Sequence, residues 1–127
     1  DDLVIRKAEG ELDYAMCANS TNSLGCLAAS ESAGRTDYKV FGIDDEADQL
    51  AALADENSIF YATVAQNPFE IGVRAMEAAV HAVEGQDDGI VKVDGILVTR
   101  DNVQEYMANR EKSLEELKDY LAIITAS

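Results

Sequence analysis

Apolar residues in this chain come in short runs separated by polar breaks, and the spacing switches repeatedly from strand-like to helical. Tyr14-Ala15-Met16-Cys17-Ala18 is a compact apolar run of the kind a buried strand shows, and Asn19-Ser20-Thr21-Asn22 breaks it. Leu24, Leu27 and Ala28 then recur at helical spacing with Gly34 just past Ala33, which predicts a helix over residues 21–33. Lys39-Val40-Phe41-Gly42-Ile43 reads as a second strand. The acidic Asp44-Asp45-Glu46 leads from it into a second helix with Leu50, Leu53 and Ala54 on one face.

Ile59 to Ala65 has the β-branched and aromatic bias of a third strand, ended by Gln66-Asn67-Pro68. Asn67 as N-cap, Pro68 at the first helical position and Glu70 reaching back as in a capping box predict a third helix, stopped by Gly85. Its stripe of Val73, Met76, Val80 and Val83, with Ala75, Ala78, Ala79 and Ala82 beside it, predicts a well-buried helix close to a sheet. Residues 89–98 read as one or two short strands broken at Asp94-Gly95, and a final helix opens near Asp101. A polar-apolar lead-in, Asp2 to Leu12, also fits a helix. Met107, Arg110, Leu114, Leu117, Leu121 and Ile124 step by threes and fours, a heptad pattern interrupted only by Arg110.

Strands alternating with helices predict an α/β fold: a mostly parallel, Rossmann-like sheet with helices on both faces, followed by a long C-terminal helix. At 127 residues the chain fits one such unit. No apolar run approaches the ~20 residues that cross a bilayer. With 25 acidic against 10 basic residues the net charge is −15, a field that repels phosphate backbones and argues against nucleic-acid partners. Cys17 and Cys26 lie among small apolar residues and read as buried hydrophobes rather than a disulfide. Asp1 opens the chain without a start methionine, a basic region or an apolar leader, so any targeting segment is expected to lie outside these residues.

In open parallel sheets, ligands bind beyond the carboxyl ends of the strands, where the first polar residues here are Asn19, Asp44 and Gln66. A carboxylate accepts hydrogen bonds from neighbouring hydroxyls, and each amide offers a donor and an acceptor. The set therefore suits a neutral polyhydroxylated ligand and requires no proton transfer. Each residue also has a plainer role: Asn19 and Asp44 as helix caps, Gln66 as a solvated turn residue.

The runs Met16-Cys17-Ala18-Asn19 with Leu24-Gly25, Val40-Phe41-Gly42-Ile43-Asp44, and Ala62-Thr63-Val64-Ala65-Gln66-Asn67-Pro68 with Gly72 resemble the second half of ribose/galactose-type periplasmic sugar-binding proteins. Val98-Thr99-Arg100-Asp101-Asn102-Val103 resembles the end of the same family, so the likeness covers roughly residues 10–105. It implies that Asn19, Asp44 and Gln66 contact the sugar from the carboxyl-side lobe. It also implies that residues 1–102 form that lobe, incomplete at its N-terminal side, with 103–127 an amphipathic helix after it. Relatives usually carry Asp directly after the Asn; here that position is Ser20, which still caps a helix but lowers the local charge.

The function implied is the solute-binding component of an ABC-type sugar importer, extracytoplasmic as a periplasmic protein or a cell-surface lipoprotein. Its partners would be a sugar-like small molecule, a membrane permease and an amino-side lobe absent from these residues. A homodimer through the heptad or an uncovered sheet edge is a further expectation. The alternatives are a sensor ectodomain, motivated by the heptad, and the effector core of a sugar-responsive repressor, against which the acidic charge argues.

Other signals are plainer. His81 lies mid-helix with no second His or Cys nearby, and neither Asp44-Asp45-Glu46 nor Asp87-Asp88-Gly89 has the spacing of a calcium loop, so no metal site is expected. With no phosphate loop, no nucleophile elbow and no partner to orient a base, neither catalytic residues nor a cofactor are expected, and the chain does not read as an enzyme.

Overall fold

Residues 8–125 are described in the computed structural model of the chain. Eight elements follow in order: β1 (Tyr14–Met16), α1 (Ser20–Ala33), β2 (Lys39–Ile43), α2 (Ala47–Ala54), β3 (Phe60–Ala65), α3 (Pro68–Val83), β4 (Ile96–Thr99) and α4 (Val103–Thr125). They build one four-stranded sheet in the order β1-β2-β3-β4. The first two pairings are parallel and the last is antiparallel. Parallel neighbours need a crossover, and α1 and α2 supply the two crossovers.

The register sorts the side chains by face. Ala15 pairs with Val40, Val40 with Phe60, Gly42 with Thr63, and Thr63 with Val98, so these residues share one side of the sheet. That side is the core, where Val40, Phe60 and Val98 are fully buried with Leu50 and Leu53 of α2 and Val103 of α4. Burying Leu50, Leu53 and Phe60 stabilises the fold by about 1.5–3 kcal/mol each.

Helix ends follow their local chemistry. The Asn19 side chain accepts from Asn22 N at 2.9 Å to open α1, and Gly34 closes it in the left-handed conformation, φ 64°. Asn102 holds the turn into α4: its Oδ1 accepts from Thr99 N at 2.7 Å and its Nδ2 donates to Leu97 O at 3.0 Å.

The mostly parallel α/β architecture agrees with the sequence, and four details differ. The lead-in helix falls largely outside the described residues, and its described part, residues 8–12, is a turn. The expected strands within residues 89–98 reduce to Ile96–Thr99, because only that segment reaches the free edge of β3. Asn67 starts α3 by its own left-handed backbone, φ 53°, with no side-chain cap; Glu70 does not reach back but accepts from Arg74 Nε at 2.8 Å.

The fourth difference is the cover of the sheet. α1, α2 and α4 pack at the core side, whereas α3 buries no residue and leaves Met76 67% and Val83 90% exposed. On the opposite sheet face Tyr14, Met16 and Leu97 stand exposed, and Tyr14, Phe41 and Tyr61 form a row of ring contacts. The amphipathic stripe of α3 shows that the helix suits a covered position; the covered face here is already occupied by the other three helices.

Candidate functional site

Two parallel ladders and their continuations bring the strand ends to one rim. Cys17 N donates to Phe41 O at 2.8 Å just past β1, and Asp44 N donates to Val64 O at 2.9 Å just past β2. These bonds carry the chain in register to the three candidate residues: Asn19 opens α1, Asp44 follows β2 and Gln66 follows β3.

Asp44 is the centre of the rim. Its carboxylate accepts from Ser20 N through Oδ2 at 2.9 Å and from the Gln66 side-chain amide through Oδ1. Its own carbonyl accepts from Thr63 Oγ1 at 2.7 Å. The residue adopts φ 80°, in the left-handed region that side-chain-bearing residues rarely occupy. Such a conformation costs on the order of 1–3 kcal/mol and persists where surrounding bonds fix it, most often at functional positions.

The plainer roles are thereby separated from one another. Asn19 does cap α1, through its Oδ1. Asp44 does not cap the helix that follows it, since α2 starts from Glu46, whose N–H bonds to Gln49 Oε1 at 3.2 Å. Instead Asp44 satisfies an otherwise orphaned N–H at the start of α1 from across the rim. Gln66 is exposed but not simply solvated, because it is tied to Asp44. Among the described residues neither Asn19 Nδ2 nor Gln66 Oε1 makes a protein hydrogen bond, and the Asp44 carboxylate keeps about two of its acceptor positions.

Below the rim a buried polar chain connects the two crossover helices. Ser23 Oγ donates to Asn19 O at 2.9 Å, and Gln49 Nε2 donates both to Ser23 Oγ at 3.2 Å and to Ile43 O at 3.0 Å. Both linked carbonyls belong to rim segments, so the core side fixes the backbone that aims Asn19 and Asp44.

One set of rim residues was not legible as a set in the sequence. Asp45 Oδ2 accepts from Tyr106 Oη at 2.7 Å and pairs with Arg110 Nε at 3.1 Å, joining the loop after β2 to α4. Burial, and then the Asp45 carboxylate, push the Tyr106 phenol well above its usual range. The signal available beforehand was Arg110 itself, the charged interruption of an apolar heptad; its partner lies 65 positions earlier, beyond any local pattern.

The rim is predominantly acidic, with Asp44, Asp45 and Glu46 together and Arg110 paired to Asp45. A depression of about 300 Å³ lies at the opposite ends of the strands, beside Lys39, Tyr61 and Arg100, and does not include the rim. Arg100 serves the sheet there, donating to the carbonyls of Ser58 and Phe60. A thiol pair also flanks the rim: Cys17 and Cys26 are both free, and burial, then the neighbouring Cys26, raise the Cys17 thiol.

A family model described as a periplasmic binding protein domain matches residues 2–87. The chain belongs to the periplasmic binding protein family. It is 32% identical over 79 residues to the ribose import binding protein RbsB of Escherichia coli, a stretch covering 62% of this chain and 26% of that protein. Among solved structures it is similar to an ABC transporter solute binding protein from Agrobacterium vitis with bound allitol. That match has TM-score 0.75 and 28% identity, covering 84% of this chain and 37% of the other. A solute binding protein from Bacillus halodurans with bound myo-inositol is 32% identical with TM-score 0.65, covering 76% of this chain and 33% of the other.

The chain thus spans about a quarter of the length of the curated relatives it matches. These relatives are extracytoplasmic binding proteins rather than enzymes. Among the described residues no helix of this periplasmic-binding-protein chain is long and apolar enough to cross a membrane.

Proposed function

We propose that the chain is the carboxyl-side wall of a two-lobed receptor that binds a neutral sugar or polyol and delivers it to the permease of an ABC-type importer. Residues 1–102 form the lobe and residues 103–127 the helix that follows it. The second wall comes from an amino-side lobe, and the receptor works outside the cytoplasm, in the periplasm or as a lipid-anchored protein.

The observation that carries this reading is the Asp44 carboxylate, held by Ser20 N and Gln66 with acceptor capacity to spare and with an uncommitted amide nitrogen at Asn19 beside it. Charged acceptors make the stronger hydrogen bonds to ligand hydroxyls, and the flanking amides can read the hydroxyls that remain. The net acidic charge of Asp44, Asp45 and Glu46, of which Arg110 offsets only Asp45, favours neutral ligands over sugar acids or sugar phosphates. Ribose, allitol and myo-inositol, named with the relatives, are all neutral polyhydroxylated molecules.

The test is calorimetric titration of the complete gene product with D-ribose, allitol and myo-inositol. Asp44→Ala should weaken the tightest of the three by about 2 kcal/mol, roughly 30-fold, because a buried ligand hydroxyl loses its charged acceptor. Unchanged affinity in that variant would remove Asp44 from the site.

A further inference from the structure

We infer that Tyr106 and Arg110 of α4 are positioning residues for the ligand-facing carboxylate of Asp44, acting through Asp45. This rests on the sugar-receptor reading above and extends it to a helix outside the rim.

Besides the rim bonds of its carboxylate, Asp44 is held through its backbone on both sides. The peptide before it is fixed through Asp44 N to Val64 O at 2.9 Å, and the carbonyl of the peptide that joins it to Asp45 accepts from Thr63 Oγ1 at 2.7 Å. On its helix side the next residue is Asp45, and two groups of α4 grip that side chain, Tyr106 Oη at 2.7 Å and Arg110 Nε at 3.1 Å. A residue at φ 80° relaxes toward negative φ unless both neighbouring peptides are fixed. Relaxation at Asp44 would rotate its Cβ and carry the carboxylate away from Ser20 N, the bond that points it into the rim. The grip on Asp45 acts on the same 44–45 peptide as the Thr63 bond and reinforces it against that rotation.

The anchor itself is firm. Val103 is 1% exposed, and Tyr106 and Met107 pack against the core, so the first turns of α4 are seated on the hydrophobic core of the lobe. Arg110 stands where the heptad asks for an apolar residue, and its pairing with Asp45 accounts for that exception. The Asp45 side chain is 17% exposed against 40% for Arg110, so the pair is partly shielded at the carboxylate and open to salt at the guanidinium.

The experiment compares Arg110→Ala, Arg110→Lys, Tyr106→Phe and Asp44→Ala in the complete gene product. The first readout needs no ligand: amide hydrogen exchange at Asp44 should quicken in Arg110→Ala and Tyr106→Phe while exchange of Val40 and Phe60 stays as it was. The second is calorimetry with the tightest of D-ribose, allitol and myo-inositol. Arg110→Ala should weaken it about tenfold, and Arg110→Lys should return it to within about threefold of the parent. The parent's affinity should fall with added salt more steeply than that of Arg110→Ala. Unchanged exchange at Asp44 in both clamp variants overturns the inference. So does full affinity in Arg110→Ala when Asp44→Ala has lost it, an outcome that leaves the receptor reading intact. Full affinity in Asp44→Ala overturns both.

Discussion

Gly42 of β2 lies so close to Ser23 of α1 that a Cβ on the glycine would stand 2.5 Å from the serine hydroxyl oxygen, with Phe60 Cζ at 3.1 Å and Gln49 Nε2 at 3.2 Å. Ser23 cannot yield freely, since its hydroxyl donates to Asn19 O at 2.9 Å and accepts from Gln49 at 3.2 Å. Gly42→Ala should therefore lower stability by about 1–3 kcal/mol, the usual range for overpacking. Thermal or urea unfolding measures it. Because the displaced groups hold the carbonyls of Asn19 and Ile43, ligand affinity should fall in the same variant. A melting temperature equal to the parent's would show that α1 can retreat at no cost.

How far the fold could be read in advance depended on whether its causes are local. The strand Lys39–Ile43 and the left-handed stop at Gly34 were legible because a short apolar run and a glycine past a helical stripe act on their own neighbours. The strand-end rule also placed Asn19, Asp44 and Gln66 on one rim, because parallel strands must finish on the same side. What remained hidden is non-local. The Gln66 to Asp44 bond spans 22 positions and the Tyr106 to Asp45 bond 61, and neither residue type announces its partner. The exposure of α3 departs from the pattern for a related reason: an apolar stripe records a preference for burial and does not say which surface supplies it.

Asn19 caps α1 through one atom and has a second atom for the proposed ligand, and substitutions can divide the cap from the proposed contact. Its Oδ1 caps α1 by accepting from Asn22 N, whereas its Nδ2 is the donor available to a ligand. Asn19→Asp keeps a capping oxygen and loses the donor, so stability should stay within about 0.5 kcal/mol while sugar affinity in the complete gene product drops about tenfold. Asn19→Ala should do both, lowering stability by about 1 kcal/mol as well. Paired melting and calorimetry curves decide. Equal affinity in Asn19→Asp and the parent would leave Asn19 a cap alone.

The acid limb of stability should carry the signature of Asp37. The Arg35 guanidinium, and then Gly10 N–H, hold its carboxyl well below the usual carboxylate range; the side-chain bonds are 2.9 and 2.8 Å and the backbone bond 2.8 Å. A carboxylate with a folded-state pKa below its unfolded value stabilises the fold when ionised. That contribution is complete above about pH 4 and disappears as the pH falls further below it. Melting temperatures from pH 7 down to pH 2 should therefore fall more steeply for the parent than for Asp37→Asn, with the two curves converging at the acid end. Parallel curves would mean that the contact adds nothing to stability in solution.

Substitution on α3 tests whether its stripe finds cover when the chain is alone. Met76 is 67% and Val80 52% exposed, so a charge placed there leaves the core untouched. Surface changes of this kind move stability by about 0.5 kcal/mol or less. A charge set into a packed interface instead costs several times that, since an unpaired ion must be desolvated. Met76→Lys in the 127-residue chain should therefore melt with the parent. Light scattering across protein concentrations makes the comparison decisive. If the parent self-associates through the α3 stripe, Met76→Lys will shift it toward monomer and lower the melting temperature in a concentration-dependent way. If association instead uses the row of Tyr14, Met16 and Leu97 on the uncovered sheet face, Met76→Lys will leave it in place and Met16→Lys will disperse it. The two apolar surfaces are thus separable, because each answers to its own substitution.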